Sequence, residues 1–229
     1  MGRKLLEQKA RVDKDRLYTP REALELLKSL EGAKFDESIE AHIRLNVDPR
    51  KADQMVRGTL MLPNGTGKTR RVAAFVVGEK AREAEEAGAD IVGSDDLAAR
   101  IRDDGFMEFD VAVATPDQMS IVGRLGPILG PRGLMPNPKS GTVTPNVGRV
   151  VEDIKRGKIE YRVDRYGIIH AIIGKKSFDI DKLVENYFAL RDELQRIRPA
   201  AVRGRYFKSV ALATTMGPAI QVDPTVEKD

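Results

Sequence analysis

The order of apolar and polar positions changes its period twice along this chain. Leu5, Leu6 and Val12 are sparse on a charged background and predict a surface helix. Thr19-Pro20-Arg21-Glu22 predicts a helix start, with Thr19 as N-cap, Pro20 in the first turn and Glu22 closing a capping box. Ala23, Leu24, Leu26, Leu27 and Leu30 then form a buried stripe, and the helix is expected to end near Gly32. From Phe35 to Asn46 the period becomes two. Ile39, Ala41, Ile43 and Leu45 face one way, and Ser38, Glu40, His42 and Arg44 the other, as in a half-buried strand. A short strand, Gly58 to Leu62, follows a polar connection.

From Arg70 the grammar becomes strand–helix alternation. RRVAAFVV, the helix GEKAREAEEAGA closed by Gly88, a strand at Asp90–Val92, SDDLAARIRDD capped by Ser94, and FDVAVATP succeed one another. The stretch Asp117–Pro145 begins as a short helix, capped by Asp117, with Met119, Ile121, Val122 and Leu125 on its apolar face. From Gly126 on, recurrent Gly and Pro prevent a helix or strand from continuing. Ile128, Leu129, Leu134 and Met135 predict that this loop is ordered and partly buried, with Arg124, Arg132 and Lys139 projecting. Asn146–Lys158 closes the block with an amphipathic helix.

After Lys158 the alternation returns. KIEYRVD, a turn at Arg165-Tyr166-Gly167 and IIHAIIG predict a β-hairpin. A long helix follows, with Leu183, Val184, Tyr187, Leu190 and Leu194 inward, then the strand YFKSVALATT, a break at Met216-Gly217-Pro218 and a last strand, AIQV. The fold class is α/β and α+β in two domains. Residues 1–67 plus 159–229 form a discontinuous antiparallel sheet with helices on one face, a split α/β sandwich. Residues 68–158 form an inserted three-layer Rossmann-like parallel domain, with two chain crossings as its hinge.

Composition narrows the chemistry. The chain has 229 residues, 32% charged, and a net charge of +4. The basic excess is two over residues 1–67, zero over 68–159 and two over 160–229, so it lies outside the middle block. No cysteine is present, which excludes disulfides and thiolate metal sites. No apolar run reaches the roughly 20 residues of a membrane span. The N-terminus is too charged for a signal peptide. A cytoplasmic protein with no membrane partner is expected.

Enzymatic chemistry finds little support. PNGTGKT resembles part of a phosphate-binding loop, but Leu62 stands where the first glycine should be, and a strand rather than a helix follows. No dinucleotide fingerprint follows the first strand of the middle block. His42 and His170 fall inside strands, where a structural or surface role is the commoner one. No His or acidic set has metal-ligand spacing. No catalytic residue, metal or cofactor is expected. A nucleotide-dependent enzyme using Lys68, and a protein-interaction scaffold using the Gly/Pro stretch, are the rival readings.

Three segments carry a resemblance. The run GRLGPILGPRGLMPNPKSGT is similar to the signature of the L-one family of large-subunit ribosomal proteins, found on the mobile L-one stalk. KFDES and TTMGP are similar to the family's two RNA-gripping segments. The resemblance extends from about Thr19 to Pro224, with the first eighteen residues only loosely alike. It implies that Phe35, Thr215, Met216 and Gly217 form the central RNA contact. It also implies that Lys34, Ser38, Glu40, His42, Lys51, Arg162, Asp164, Arg165 and Ser209 complete the set. Tyr166 departs from the family, which usually has a small or basic residue there. The implied partners are large-subunit rRNA, exit-site tRNA, whose release the protein would assist, and the protein's own operon messenger, whose translation it would repress. A monomer is expected when free.

The expected recognition is of shape. Uncharged groups such as the Thr215 hydroxyl and the Gly217 backbone suit ribose hydroxyls and sugar edges. A small net charge then implies a shallow salt dependence.

Overall fold

A computed structural model describes residues 3–227. Met1, Gly2, Lys228 and Asp229, which the expected discontinuous domain includes, lie outside the described residues. Helix α1 spans Arg3–Ala10. Helix α2 (Pro20–Ser29) begins with the predicted capping box: the Thr19 hydroxyl accepts from the Glu22 amide, and the Glu22 carboxylate accepts from the Thr19 amide. It ends before Leu30 rather than at Gly32. Gly32 serves a different need, because a Cβ there would stand 2.8 Å from the Glu37 carboxylate. Strand β1 (Ser38–Leu45) buries Ile39, Ala41, Ile43 and Leu45 in the predicted phase, and β2 spans Arg57–Met61.

The middle of the chain runs β3 (Val72–Phe75), α3 (Glu79–Glu86), β4 (Ile91–Gly93), α4 (Asp95–Asp103), β5 (Val111–Ala114), α5 (Met119–Arg124), α6 (Gly126–Leu129) and α7 (Val147–Lys155). Its sheet is parallel in the order β4-β3-β5. One apolar cluster joins Ala73 and Phe75 to Leu97, Ile101, Val122 and Leu129. A second joins Val72 and Ala74 to Ala84, Val147, Val151 and Ile154. Alternate residues of β3 thus face opposite layers, which makes the three-layer domain.

Three local expectations fail here. Asp117 caps no helix: it lies inside a 3-10 turn, Pro116–Gln118, and its carboxylate accepts from the Gln118 amide group. Ser94 precedes α4, but its hydroxyl is turned to Gln118 Oε1, while its amide is received by Asp96 Oδ1 at 2.8 Å. Helix also resumes at α6, because Pro127 lies in its first turn, where a missing N–H costs nothing. The loop beyond is anchored as predicted. Leu129 is fully buried, Ile128, Leu134 and Met135 pack partly against the core, and Arg124, Arg132 and Lys139 are exposed.

The last third supplies β6 (Lys158–Arg162), β7 (Ile168–Lys175), α8 (Ile180–Arg196), β8 (Phe207–Thr214) and β9 (Ala219–Val222). Residues up to Lys68 and from Ile159 form one compact unit, and Thr69–Lys158 form the other. In the first, an antiparallel sheet has the order β7-β1-β8-β9. Helices α2 and α8 bury its inner face through Leu24, Leu27, Leu183, Tyr187, Leu190 and Leu194.

The expected β-hairpin of β6 and β7 is formed only at its tip. Strand β6 pairs with β2 in a separate two-stranded sheet, while β7 pairs with β1. The Val163–Ile169 bridge and the Asp164 amide, which donates to the Ile168 carbonyl at 2.9 Å, link the two arms next to the turn. Tyr161 explains the divergence. It is buried, its hydroxyl lies 3.2 Å from Glu193 Oε1 on α8, and it fits over Gly58 of β2, where a Cβ would stand 2.5 Å from the hydroxyl oxygen.

PNGTGKT forms a turn rather than a phosphate loop. Gly65 and Gly67 adopt positive φ, and the turn is gripped by Asn186 of α8, which is fully buried. Asn186 Oδ1 accepts from the Asn64 amide at 3.0 Å, and its Nδ2 donates to the Gly65 and Ile173 carbonyls at 2.9 and 2.7 Å.

Candidate nucleic-acid interface

The face of the four-stranded sheet opposite α2 and α8 is half-buried to exposed along β1 at Ser38, Glu40, His42 and Arg44. Its register follows from the strand pairing. His42 lies between His170 of β7 and Ala211 of β8, Glu40 lies beside Ala213, and Arg44 lies beside Ser209. Two-residue periodicity puts Ser38, Glu40, His42 and Arg44 on this open face. Small side chains at 211 and 213 leave the surface low around them.

At one end of this face the KFDES and TTMGP segments meet, although about 177 residues separate them. The Ser38 amide donates to Thr215 Oγ1 at 3.0 Å, and the Thr215 amide donates to the Ser38 carbonyl at 3.1 Å. Beneath them lies Glu37, 1% exposed. Its Oε2 accepts from the Met216 amide at 3.1 Å, and its Oε1 accepts from the Ala33 amide. Burial pushes the Glu37 carboxyl up. The Thr214 hydroxyl, these two amides and the Lys176 ammonium together outweigh burial and hold it below the usual carboxylate range. A charged strut therefore ties the two segments from below.

What the strut presents is nearly uncharged. Phe35 is 56% exposed and Met216 63% exposed. Thr215 is exposed and Gly217 half-buried. A Cβ on Gly217 would stand 2.3 Å from Thr214 Oγ1, so a larger residue would have to displace the hydroxyl that serves Glu37. A thioether, a hydroxyl and an accessible backbone segment thus share one edge, with the exposed aromatic two residues before the strut in the chain. Asp36 fastens the neighbouring loop by accepting from the Ser177 amide and hydroxyl at 3.1 and 2.7 Å. Lys175 Nζ reaches Ser38 Oγ at 3.1 Å.

Midway along the face His42 and His170 touch, Nδ1 to Nδ1, at 2.8 Å. Glu40 lies 3.9 Å from His42 Nε2, and Asp164 lies 3.5 Å from His170 Nε2. Two cationic rings cannot share that Nδ1 contact, because their N–H groups would face each other. Burial and the charge of His170 lower the His42 pKa against the opposing pull of Glu40. Asp164 also organises the turn at the far end, accepting from the Tyr166 and Ile168 amides at 2.8 Å.

The residues expected from the sequence therefore fall into groups. Ser38, Thr215, Met216 and Gly217 are brought together, with exposed Phe35 and Lys34 just before Glu37 and Ser38 in the chain. Glu40, His42 and Ser209 lie along the open face, and Asp164 and Arg165 at its far end. Arg162 is exposed on β6, in the other sheet, and Lys51 stands apart, before the 3-10 turn Ala52–Gln54. Glu37 was missed, although the alternation contained the signal: it is in phase with Ile39, Ala41 and Ile43, so it had to point inward and find donors.

Among the described residues, no group of three or more His, Cys, Asp or Glu could hold a metal ion, and no helix is long and apolar enough to cross a membrane.

The chain is similar to several known proteins. Residues 27–218 match the family described as Ribosomal protein L1p/L10e. The chain is 79% identical over 228 residues to the large ribosomal subunit protein uL1 of Rubrobacter xylanophilus, covering 100% of this chain and 99% of that protein. It is 60% identical over 227 residues to the uL1 protein of Thermobifida fusca, covering 99% and 95%. It is 58% identical over 223 residues to that of Mycobacteroides abscessus, covering 97% and 94%.

Proposed function

We propose, given that this chain belongs to the ribosomal protein L1p/L10e family, that it is a structural constituent of the large ribosomal subunit and grips a folded rRNA element with its discontinuous domain. The observation that carries this reading is the joined edge. Two distant segments are fastened by Ser38–Thr215 and Glu37–Met216 bonds while Phe35 and Met216 stay exposed. Leaving a large aromatic and a methionine in water at one rigid edge suits a contour to be filled by a partner. The groups between them are hydroxyl and backbone, which match ribose rather than phosphate. Glu40, His42, Lys34, Ser209, Asp164 and Arg165 extend the contact along the open face. Arg162 and Lys51 would add peripheral phosphate contacts.

Membership of a ribosomal-protein family agrees with the non-enzymatic reading. Two finer roles come from the family resemblance alone: assisting release of deacylated tRNA from the exit site, and repressing translation from the protein's own operon messenger. The second follows naturally if that messenger folds into the same contour as the rRNA element.

Filter binding to large-subunit rRNA tests the reading. Met216→Ala should weaken binding by about 1–3 kcal/mol, the loss typical of a buried anchor. Unchanged affinity would remove Met216, and with it the edge, from the contact.

A further inference from the structure

One exposed aromatic lies outside the edge just described. Tyr166 is 64% exposed, at the tip of the turn between β6 and β7. The turn is rigid. Asp164 Oδ1 accepts from the amides of Tyr166 and Ile168, and the Gly167 amide returns to the Asp164 carbonyl at 3.2 Å. The Gly167 carbonyl accepts from the Leu45 amide at 2.8 Å, which pins the turn to the end of β1. Gly167 sits at φ 79, and a Cβ there would stand 3.2 Å from the Leu45 carbonyl oxygen. The ring's backbone is therefore fixed before any ligand arrives, so little ordering entropy remains to be lost on binding.

The ring has two unlike faces. The Arg165 guanidinium lies 4.8 Å from its centroid, in cation–π range. That contact occupies one face and places a positive charge behind the π system. The side chain's large exposure leaves ring surface open to a planar partner. Below the turn, Asp164 connects to His170 and so to the open face of the sheet.

We infer that Tyr166, backed by Arg165, is a stacking platform for an unpaired nucleobase of the bound RNA. The inference rests on the RNA reading above and adds to it a second, sequence-tolerant contact at the opposite end of β1. Strand β1 advances seven steps from Ser38 to Leu45, roughly 23 Å at strand spacing. The ligand must therefore present its ribose-lined contour at one end of that span and a splayed-out base at the other. A wholly paired helix satisfies only the first requirement, because its bases are stacked inside.

The chain contains no tryptophan, so Tyr166→Trp gives an emission signal that reports this position alone. The test uses the whole protein titrated with intact large-subunit rRNA. Tyr166→Trp should bind at least as tightly as the parent, with its emission quenched in step with binding. Tyr166→Phe should bind as the parent does. Tyr166→Leu, which keeps bulk but no π face, and Tyr166→Ala should bind roughly 5- to 150-fold more weakly, the range for stacking of one base. Equal affinity of Tyr166→Leu and the parent, or emission unmoved at saturation, would overturn the platform. If that happens while Met216→Ala still weakens binding, the platform alone fails. If the parent binds no rRNA, the underlying reading fails and takes the platform with it.

Discussion

Glu37 shows how one side chain links fold to interface. Its carboxylate is surrounded by Gly32, Ala33, Thr214, Met216 and Lys176, and it positions residues that it does not itself expose. Glu37→Gln keeps the shape but loses the charge and one acceptor. It should lower stability by about 1–3 kcal/mol for each donor left unpaired. It should also weaken rRNA binding, because Met216 loses its anchor; thermal unfolding and filter binding read the two effects separately. Intact RNA affinity in a destabilised Glu37→Gln protein would show that the strut serves the fold alone. His42 gives a prediction in pH. Its folded-state pKa lies below 6.5, so the unfolded chain takes up a proton first as pH falls through that value. Stability should therefore fall from about pH 6.5 down to the folded pKa, and His42→Gln should flatten that part of the profile; urea unfolding across pH 5–8 measures it. At this scale the sequence was legible where a local motif or a period spoke, as for the Thr19 capping box and the inward Ile39, Ala41 and Ile43. Asp117 and Ser94 were not, because each looked like a cap in one dimension and found Gln118 in three.

Among elements, the sheet and its covering helices followed from alternation, since one buried face fixes register. The break between β6 and β7 did not. A turn flanked by two alternating segments reads as a hairpin, and only the tertiary seat of Tyr161 between Gly58 and Glu193 sends β6 to β2 instead. Asn186 was hidden for the same reason, being one polar residue on the helix face that carries Leu183, Tyr187 and Leu190. Its three hydrogen bonds hold the Asn64–Gly65 turn against α8 and β7. Asn186→Leu should cost at least about 2 kcal/mol, because the Asn64 amide and two carbonyls lose a buried partner together. Denaturant unfolding tests this, and a loss under 0.5 kcal/mol, the scale of a surface substitution, would contradict it.

For the whole molecule, two-residue alternation gives way to strand–helix repeats from Arg70 and returns after Lys158. The contact pattern divides the chain between Lys68 and Thr69, where the sequence reading drew the line one residue earlier. Assigning RNA binding to the discontinuous unit is a functional claim that compactness does not decide. Replacing residues 68–158 by a short linker should leave rRNA affinity within a few-fold of the parent by filter binding. Abolished binding in a folded protein of that kind would move the site to the middle block. The most direct measurement is ribose footprinting of the intact protein on intact large-subunit rRNA, run beside Phe35→Ala and Met216→Ala. The edge account predicts one compact patch of protected riboses in a folded element, weakened in both variants. Protection that is scattered, or that survives both substitutions unchanged, would contradict it.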